Sequence, residues 1–309
     1  MSIKKQARIY VAGATGLIGS ALVRLLKERG YERVITRTRR ELDLTDPAAV
    51  RRFFLKERPE YAVMAAGRVG GIKANAAAPV DFLYDNMAMG MNVIRSAHEA
   101  GVKKLVYLAS PCLYPKYCPQ PMKTASILAG PLEPTNEPFA LAKIAGLRLC
   151  RAYQDQYGAR FVAVIPANVY GIGDRMGEDG HVAGALLRRF DEARRSGART
   201  VTVWGSGRPR REFLYADDAA SACWFVMERD IKAGIVNAGT GHTTSVRALA
   251  ALIKEVTGFA GRIVFDRSRP DGNPVRLLDS SAIRSLGWRP RVRLREGIER
   301  MYQWYKNRR

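Results

Sequence analysis

Three groups of residues in this chain have the types and spacing that chemistry requires. The first is the run G-A-T-G-L-I-G from Gly13 to Gly19. Glycines spaced as Gly13, Gly16 and Gly19 let a backbone turn tightly and approach a pyrophosphate closely. A helix opening at the same place, through Leu17 and Ile18, offers its free N–H groups and partial positive charge to that anion, with Thr15 in the turn. The second group is Ser110, Cys112 and Lys143: a hydroxyl, a thiol two residues beyond it, and an amine within a helical segment. The third is His181, whose imidazole changes charge near neutral pH and so suits proton transfer.

The cofactor that such a glycine loop would hold can be narrowed from its neighbours. The second strand is expected to end at Thr36, followed by Arg37, Thr38, Arg39 and Arg40, with no acid before Glu41. An acid at that point bonds a ribose 2′-hydroxyl, whereas arginine accommodates a 2′-phosphate. NADP is therefore expected rather than NAD, with Arg37 and Arg39 as candidate contacts and Asp43 and Leu44 beside the adenine.

The elements that must position these groups alternate between short apolar runs and helical stretches. Strands are expected at 8–12, 33–36, 61–65, 104–109 and 161–165. Helices are expected at 16–29, 46–58 (with Asp46 as cap and Pro47 behind it), 79–99 and 137–156. This β-α-β-α order predicts an α/β fold, a Rossmann-type doubly wound parallel sheet. Ligands bind beyond the carboxyl ends of such strands. The glycine loop, Ala65–Ala66, Ser110–Tyr114 and the segment after Pro166 all fall there. The pattern loosens after Ile172, so residues 1–172 are expected to form the NADP-binding domain and 173–309 a smaller α/β substrate lobe, with a segment near 234–238 returning to the sheet.

Composition sets the outer bounds. The hydrophobic and charged shares, 47 % and 26 %, are those of a globular protein, and no apolar run is long enough to cross a bilayer. The polar, basic start runs straight into a strand, so no signal peptide is expected, and a cytoplasmic enzyme follows. Four cysteines without a CxxC pair and three histidines argue against a metal site and for a reducing compartment. The net charge of +22 is dispersed along the chain with no basic tail, so no nucleic-acid partner is expected.

Longer motifs carry a resemblance that runs almost end to end. They are R-V-G-G-I at Arg68–Ile72, C-L-Y-P at Cys112–Pro115, E-P-T-N-E-P at Glu133–Pro138 and A-K-I-A-G at Ala142–Gly146. V-W-G-S-G at Val203–Gly207, R-E-F-L at Arg211–Leu214 and P-D-G at Pro270–Gly272 continue the series. With these the chain resembles the extended short-chain dehydrogenase/reductases, and within them the GDP-L-fucose synthase family. The resemblance implies a homodimer acting on a GDP-sugar: 3,5-epimerisation of GDP-4-keto-6-deoxy-D-mannose, then NADPH-dependent reduction at C4. It places the base and acid of epimerisation on Cys112 and His181, and the nucleotide-sugar contacts on Asn168, Arg189, Trp204, Arg211 and Asp271.

For the reduction, the resemblance implies a Ser, Tyr and Lys set with the last two four residues apart on one helix. Ser110 and Lys143 are present, but the tyrosine position is Phe139. Phenylalanine has no proton to give, and losing a positioned general acid costs about 10²- to 10⁴-fold. Phe139 is thus either a substitution in a complete epimerase/reductase or the residue of a relative that epimerises without reducing. A non-enzymatic NADP-binding protein is the remaining alternative. Pro111, which lacks an N–H, is a second departure.

Overall fold

In the computed structural model, residues 3–177, 180–231, 234–269 and 271–308 are described, without the side chain at position 72. Pro270, part of the P-D-G motif, lies outside them. The order begins with β1 (Ile9–Ala12), α1 (Leu17–Glu28), β2 (Val34–Arg37), α2 (Pro47–Glu57) and β3 (Tyr61–Met64). It continues with α3 (Ile72–Ala77), α4 (Pro79–Glu99), β4 (Lys104–Leu108), α5 (Glu137–Tyr157) and β5 (Phe161–Pro166). Apart from α3, which the sequence did not lead one to expect, these elements fall within one or two residues of the sequence expectations. Their signals are local: Asp46 accepts from the N–H groups of Ala48 and Ala49 to start α2, and Gly158 in the left-handed region ends α5.

The six-stranded sheet has the order β10-β5-β4-β3-β1-β2, where β10 is Ile235–Ala238, and every pairing in it is parallel. β1, β3, β4 and β5 are buried along their whole length, as a sheet covered on both faces requires. The chain leaves β5 through β6 (Asn168–Tyr170), α6 (Val182–Arg195), β7 (Thr200–Trp204), β8 (Arg210–Arg211) and β9 (Phe213–Tyr215). It comes back as α7 (Ala216–Glu228), which packs against α1 with Trp224 edge-on to Tyr31 at 4.8 Å, and then adds β10 beside β5. The rest is β11 (Thr244–Ser245), α8 (Val246–Thr257), β12 (Arg262–Asp266), β13 (Val275–Arg276), α9 (Ser281–Ser285) and α10 (Leu294–Lys306).

Two apolar clusters result. The larger surrounds the sheet; the smaller gathers Leu186, Phe190, Val203, Tyr215, Ile253 and Met301 from α6, β7, β9, α8 and α10. Three small sheets, β6 with β9, β7 with β12, and β8 with β11 and β13, accompany the second cluster. Among the described residues no helix is long and apolar enough to cross a membrane.

Candidate active site

β1 lies between β2 and β3, so the chain runs outward in both directions from this strand and opens a crevice at its carboxyl end. The glycine loop sits there. Gly13 has φ +78°, and a Cβ on it would lie 2.6 Å from the backbone of Ala66 and 2.8 Å from that of Ala65. A Cβ on Gly19 would lie 2.1 Å from the Gly13 carbonyl oxygen. The loop is therefore pressed onto the end of β3 and onto the first turn of α1, a cradle that any side chain would fill. Gly16 starts α1 with no side-chain cap and no acid in the first turn, so its N–H groups are left to an anion.

Of the arginines after β2, Arg37 belongs to the strand itself. Its guanidinium pairs with Glu57 on α2 at 2.7 Å and donates to the Thr36 carbonyl. Arg39 is the freer: its side chain is 73 % exposed and meets Asp43 only at 3.8 Å. Asp43 is itself engaged by Thr45, whose N–H and hydroxyl both donate to it, and Leu44 is buried.

At the end of β4 the chain makes a 3-10 turn, Pro111–Leu113, before the long loop to α5. Pro111 occupies the first position of that turn, where a missing N–H costs nothing. Cys112 is buried here rather than lying open in a loop, and burial pushes its thiol up from the ordinary value. Three groups oppose that: a hydrogen bond from Ser110 and the positive charges of Arg276 and Lys143. Lys143, on α5, is buried too, and desolvation brings its ammonium down to about 8. Its Nζ donates to the Leu108 carbonyl at 3.2 Å and approaches that of Ala66 at 3.5 Å. The ends of β3 and β4, Cys112 and α5 are in this way drawn to one point.

Phe139, one helical turn before Lys143, is half-buried and meets Phe82 of α4 edge-on at 6.4 Å. Three phenols come into question in place of the missing hydroxyl. Tyr114 is buried with its hydroxyl donating to Asn237 Oδ1 on β10 at 2.7 Å. Tyr117 is 81 % exposed. Tyr107 of β4, which sequence reasoning passed over, turns its ring face toward Lys143, centre to Nζ 5.1 Å. Its hydroxyl points away toward Gly146 of α5, where a Cβ would come within 2.4 Å of it.

His181 lies at the start of α6, with Nδ1 3.3 Å from the carboxylate of Asp174. The bond to Asp174 raises its pKa above the ordinary imidazole value. Asn168 on β6 donates to the Glu212 carbonyl. Arg189 on α6 lies over the exposed Trp204 indole at 5.2 Å, and Arg269 lies over the same ring at 5.3 Å. Asp271 is held by the N–H and hydroxyl of Ser206, and both line a cavity of about 300 Å³ with Arg208, Arg267 and Arg269.

Arg211 donates to the carbonyls of Asn273 and Arg210, and its pKa falls to about 10 through desolvation and the charge of Arg276. Arg276 on β13 was not singled out in the sequence. It is half-buried, with its own pKa lowered by burial, and its charge acts on both Cys112 and Arg211. It therefore links the thiol beyond the carboxyl end of β4 to the Arg211 guanidinium. Its only sequence signal is that it follows the P-D-G motif by four residues, in a chain with 51 lysines and arginines.

Comparison with known proteins agrees with this architecture. Residues 9–239 match the NAD dependent epimerase/dehydratase family. GDP-L-fucose synthase 1 of Arabidopsis thaliana is 49 % identical over 302 residues, 97 % of this chain and 94 % of that protein. The GDP-L-fucose synthase of Escherichia coli K12 is 46 % identical over 308 residues, 96 % of each chain. Among solved structures, a GDP-L-fucose synthetase from Naegleria fowleri bound to NADP superposes with TM-score 0.90 at 26 % identity, covering 99 % of this chain and 96 % of that one. The chain belongs to the NAD dependent epimerase/dehydratase family.

Proposed function

We propose that this enzyme binds NADPH and a GDP-4-keto-6-deoxy-hexose, inverts C3 and C5 of the sugar, and carries the final reduction at C4 only weakly. The carrying observation is Phe139: the position one turn before Lys143 on α5 has an aromatic ring and no hydroxyl, while the Tyr114 hydroxyl is bonded to Asn237 and that of Tyr107 lies against Gly146. The relatives named GDP-L-fucose synthase support the substrate class, and the NADP-bound neighbour supports the cofactor.

The glycine cradle at Gly13, Gly16 and Gly19 and the backbone of Ala65 and Ala66 fit a dinucleotide, with Arg39 placed to meet a 2′-phosphate. Bound there, NADPH would supply hydride. Cys112 acts as base on the acidic C–H groups beside the C4 ketone, helped toward the thiolate by Arg276, Lys143 and Ser110. His181, made more readily cationic by Asp174, returns a proton. Arg211 and Arg276 fit a diphosphate, and Arg189 and Trp204 fit the nucleoside or sugar face. Lys143 and Ser110 orient ribose and carbonyl, but the proton that C4 oxygen needs has no phenol to come from.

Deuterium incorporation tests the reading. With GDP-4-keto-6-deoxy-mannose in D₂O, label is expected at C3 and C5, with slow NADPH oxidation that rises about 10²-fold or more in Phe139→Tyr. Rapid NADPH oxidation by the Phe139 protein would overturn the account of the missing acid. Label without any gain in Phe139→Tyr would favour a nucleotide-sugar 3,5-epimerase that does not reduce, and no label at all a non-enzymatic NADP-binding protein.

The same proposal includes a homodimer. Val80, Tyr84 and Met91 lie exposed at helical spacing along α4, and Leu141 is exposed on α5, which packs against α4. An apolar face of this kind fits a second copy of the chain. Three of the four free cysteines are buried, which suits a cytoplasmic setting.

A further inference from the structure

The loop between β6 and α6 contains a buried acid that the reaction scheme above does not use directly. Asp174 is 5 % exposed. Its Oδ1 accepts from the Arg175 N–H at 2.8 Å and faces His181 Nδ1 at 3.3 Å, while Oδ2 has no hydrogen-bond partner among the described residues. A carboxylate with one oxygen unpaired is poorly tolerated in an interior unless a cation stands beside it. The Arg175 guanidinium is directed instead to the Val69 carbonyl at 2.8 Å. The imidazole of His181 is thus the group placed to compensate it.

The backbone enforces this approach. Gly171 and Gly173 take φ values of +146° and +92° to fold the turn, with the Asp174 N–H donating to the Gly171 carbonyl. Cβ atoms on Gly180 and Gly184 would lie 2.1 and 2.6 Å from the Arg175 carbonyl oxygen. Only because both are glycine can the start of α6 rest on the Asp174–Arg175 turn. His181 precedes the first residue of α6 but makes no side-chain cap bond, which leaves its ring to Asp174. A helix N-terminus disfavours a cation, so without a neighbouring acid this is a poor place for an imidazolium.

We infer that Asp174 is a positioning residue for His181, holding the Nδ1–H so that Nε2 is the nitrogen presented to the sugar and keeping the ring protonated until it is needed. An ionised carboxylate can only accept, so the hydrogen between the two belongs to Nδ1. The proton delivered to the enolate carbon then comes from Nε2, and the ring is left neutral with Nδ1–H still bonded to Asp174. The charged groups facing the ring among the described residues are Asp174, which favours the cation, and Arg175, which opposes it.

The inference rests on the proposed acid role of His181, and the test separates the two. NMR titration of the histidine ring resonances, assigned with His181→Gln, follows the protonation of His181 without substrate. Asp174→Asn keeps an acceptor oxygen for the Arg175 N–H but removes the charge. In it, the His181 midpoint is expected to fall by about one pH unit or more. Asp174→Glu should recover part of that fall. In D₂O, Asp174→Asn is expected to raise the ratio of label gained with retention to label gained with inversion by about tenfold, because the enolate is reprotonated from the base side. An unchanged midpoint in a folded Asp174→Asn protein would overturn the inference. A lowered midpoint in Asp174→Asn, together with stereochemistry unchanged in both Asp174→Asn and His181→Gln, would leave the pair intact and remove His181 as the acid.

Discussion

Lys143 stands with Nζ 5.9 Å from the centre of the Phe139 ring and donates to the carbonyl of Leu108 at 3.2 Å. Both residues lie on one face of α5, and the ammonium is buried against the end of β4 with no acid bonded to it among the described residues. The site therefore keeps a cation that its own fold disfavours.

That disfavour is measurable. The Lys143 pKa falls from 10.5 to about 8 on folding. Between these values the unfolded chain keeps the proton that the folded chain has lost, so stability rises with pH across this window. Compared with Lys143→Met, the native chain should gain on the order of 3 kcal/mol between about pH 7 and pH 10.5. Urea titrations of both proteins across that range check the slope, and a constant difference would show that Lys143 is not desolvated.

Arg39 and Arg37 should contribute unequally to cofactor choice. Arg37 is tied to Glu57 and Thr36, whereas Arg39 is exposed and loosely paired. Arg39→Ala is expected to weaken NADPH about tenfold or more while leaving NADH little changed, and Arg37→Ala to have a smaller effect. Isothermal titration with both nucleotides distinguishes them.

Gly19→Ala adds a single methyl group, yet it should abolish tight cofactor binding. Its Cβ would lie 2.1 Å from the Gly13 carbonyl oxygen and 2.7 Å from the Gly13 carbonyl carbon, both backbone atoms that cannot step aside. The loop must open to admit it, so nucleotide affinity is expected to drop by about 10²-fold or more, with a lower melting temperature. Fluorescence titration and thermal unfolding read the two effects.

If the exposed face of α4 is covered by a second copy, a charge in its middle should disperse it. Tyr84 is 69 % exposed, between Val80 and Met91. Tyr84→Glu is expected to give a folded monomer by sedimentation, with circular dichroism unchanged. A native chain that is already monomeric at micromolar concentration would remove the proposal.

Much of the first half was legible because its signals are short-range. The cap at Asp46 and the alternation of short apolar runs with helical stretches are each read within a few residues, and they locate most of the elements to within a turn. The glycine loop was legible for the same reason. What escaped depends on pairings across long stretches. Nothing near Arg37 announces Glu57 as its partner, and Arg276 acquires meaning only when β13 pairs with β8 beside Arg211. Cys112 was expected in the segment after β4, but its burial in a turn with Pro111 and Leu113 could not be read there. Burial of that kind is decided by what packs from elsewhere in the chain.

The strand that closes the sheet has a consequence for how the molecule is made. β5 ends at Pro166, but its outer neighbour β10 does not begin until Ile235, and α7, which covers α1, comes between. During synthesis the growing chain must therefore carry β5 as an unpaired edge while the whole intervening segment emerges from the ribosome. A fragment stopped before α7 would keep that edge and the uncovered face of α1, and it should associate with itself rather than fold alone.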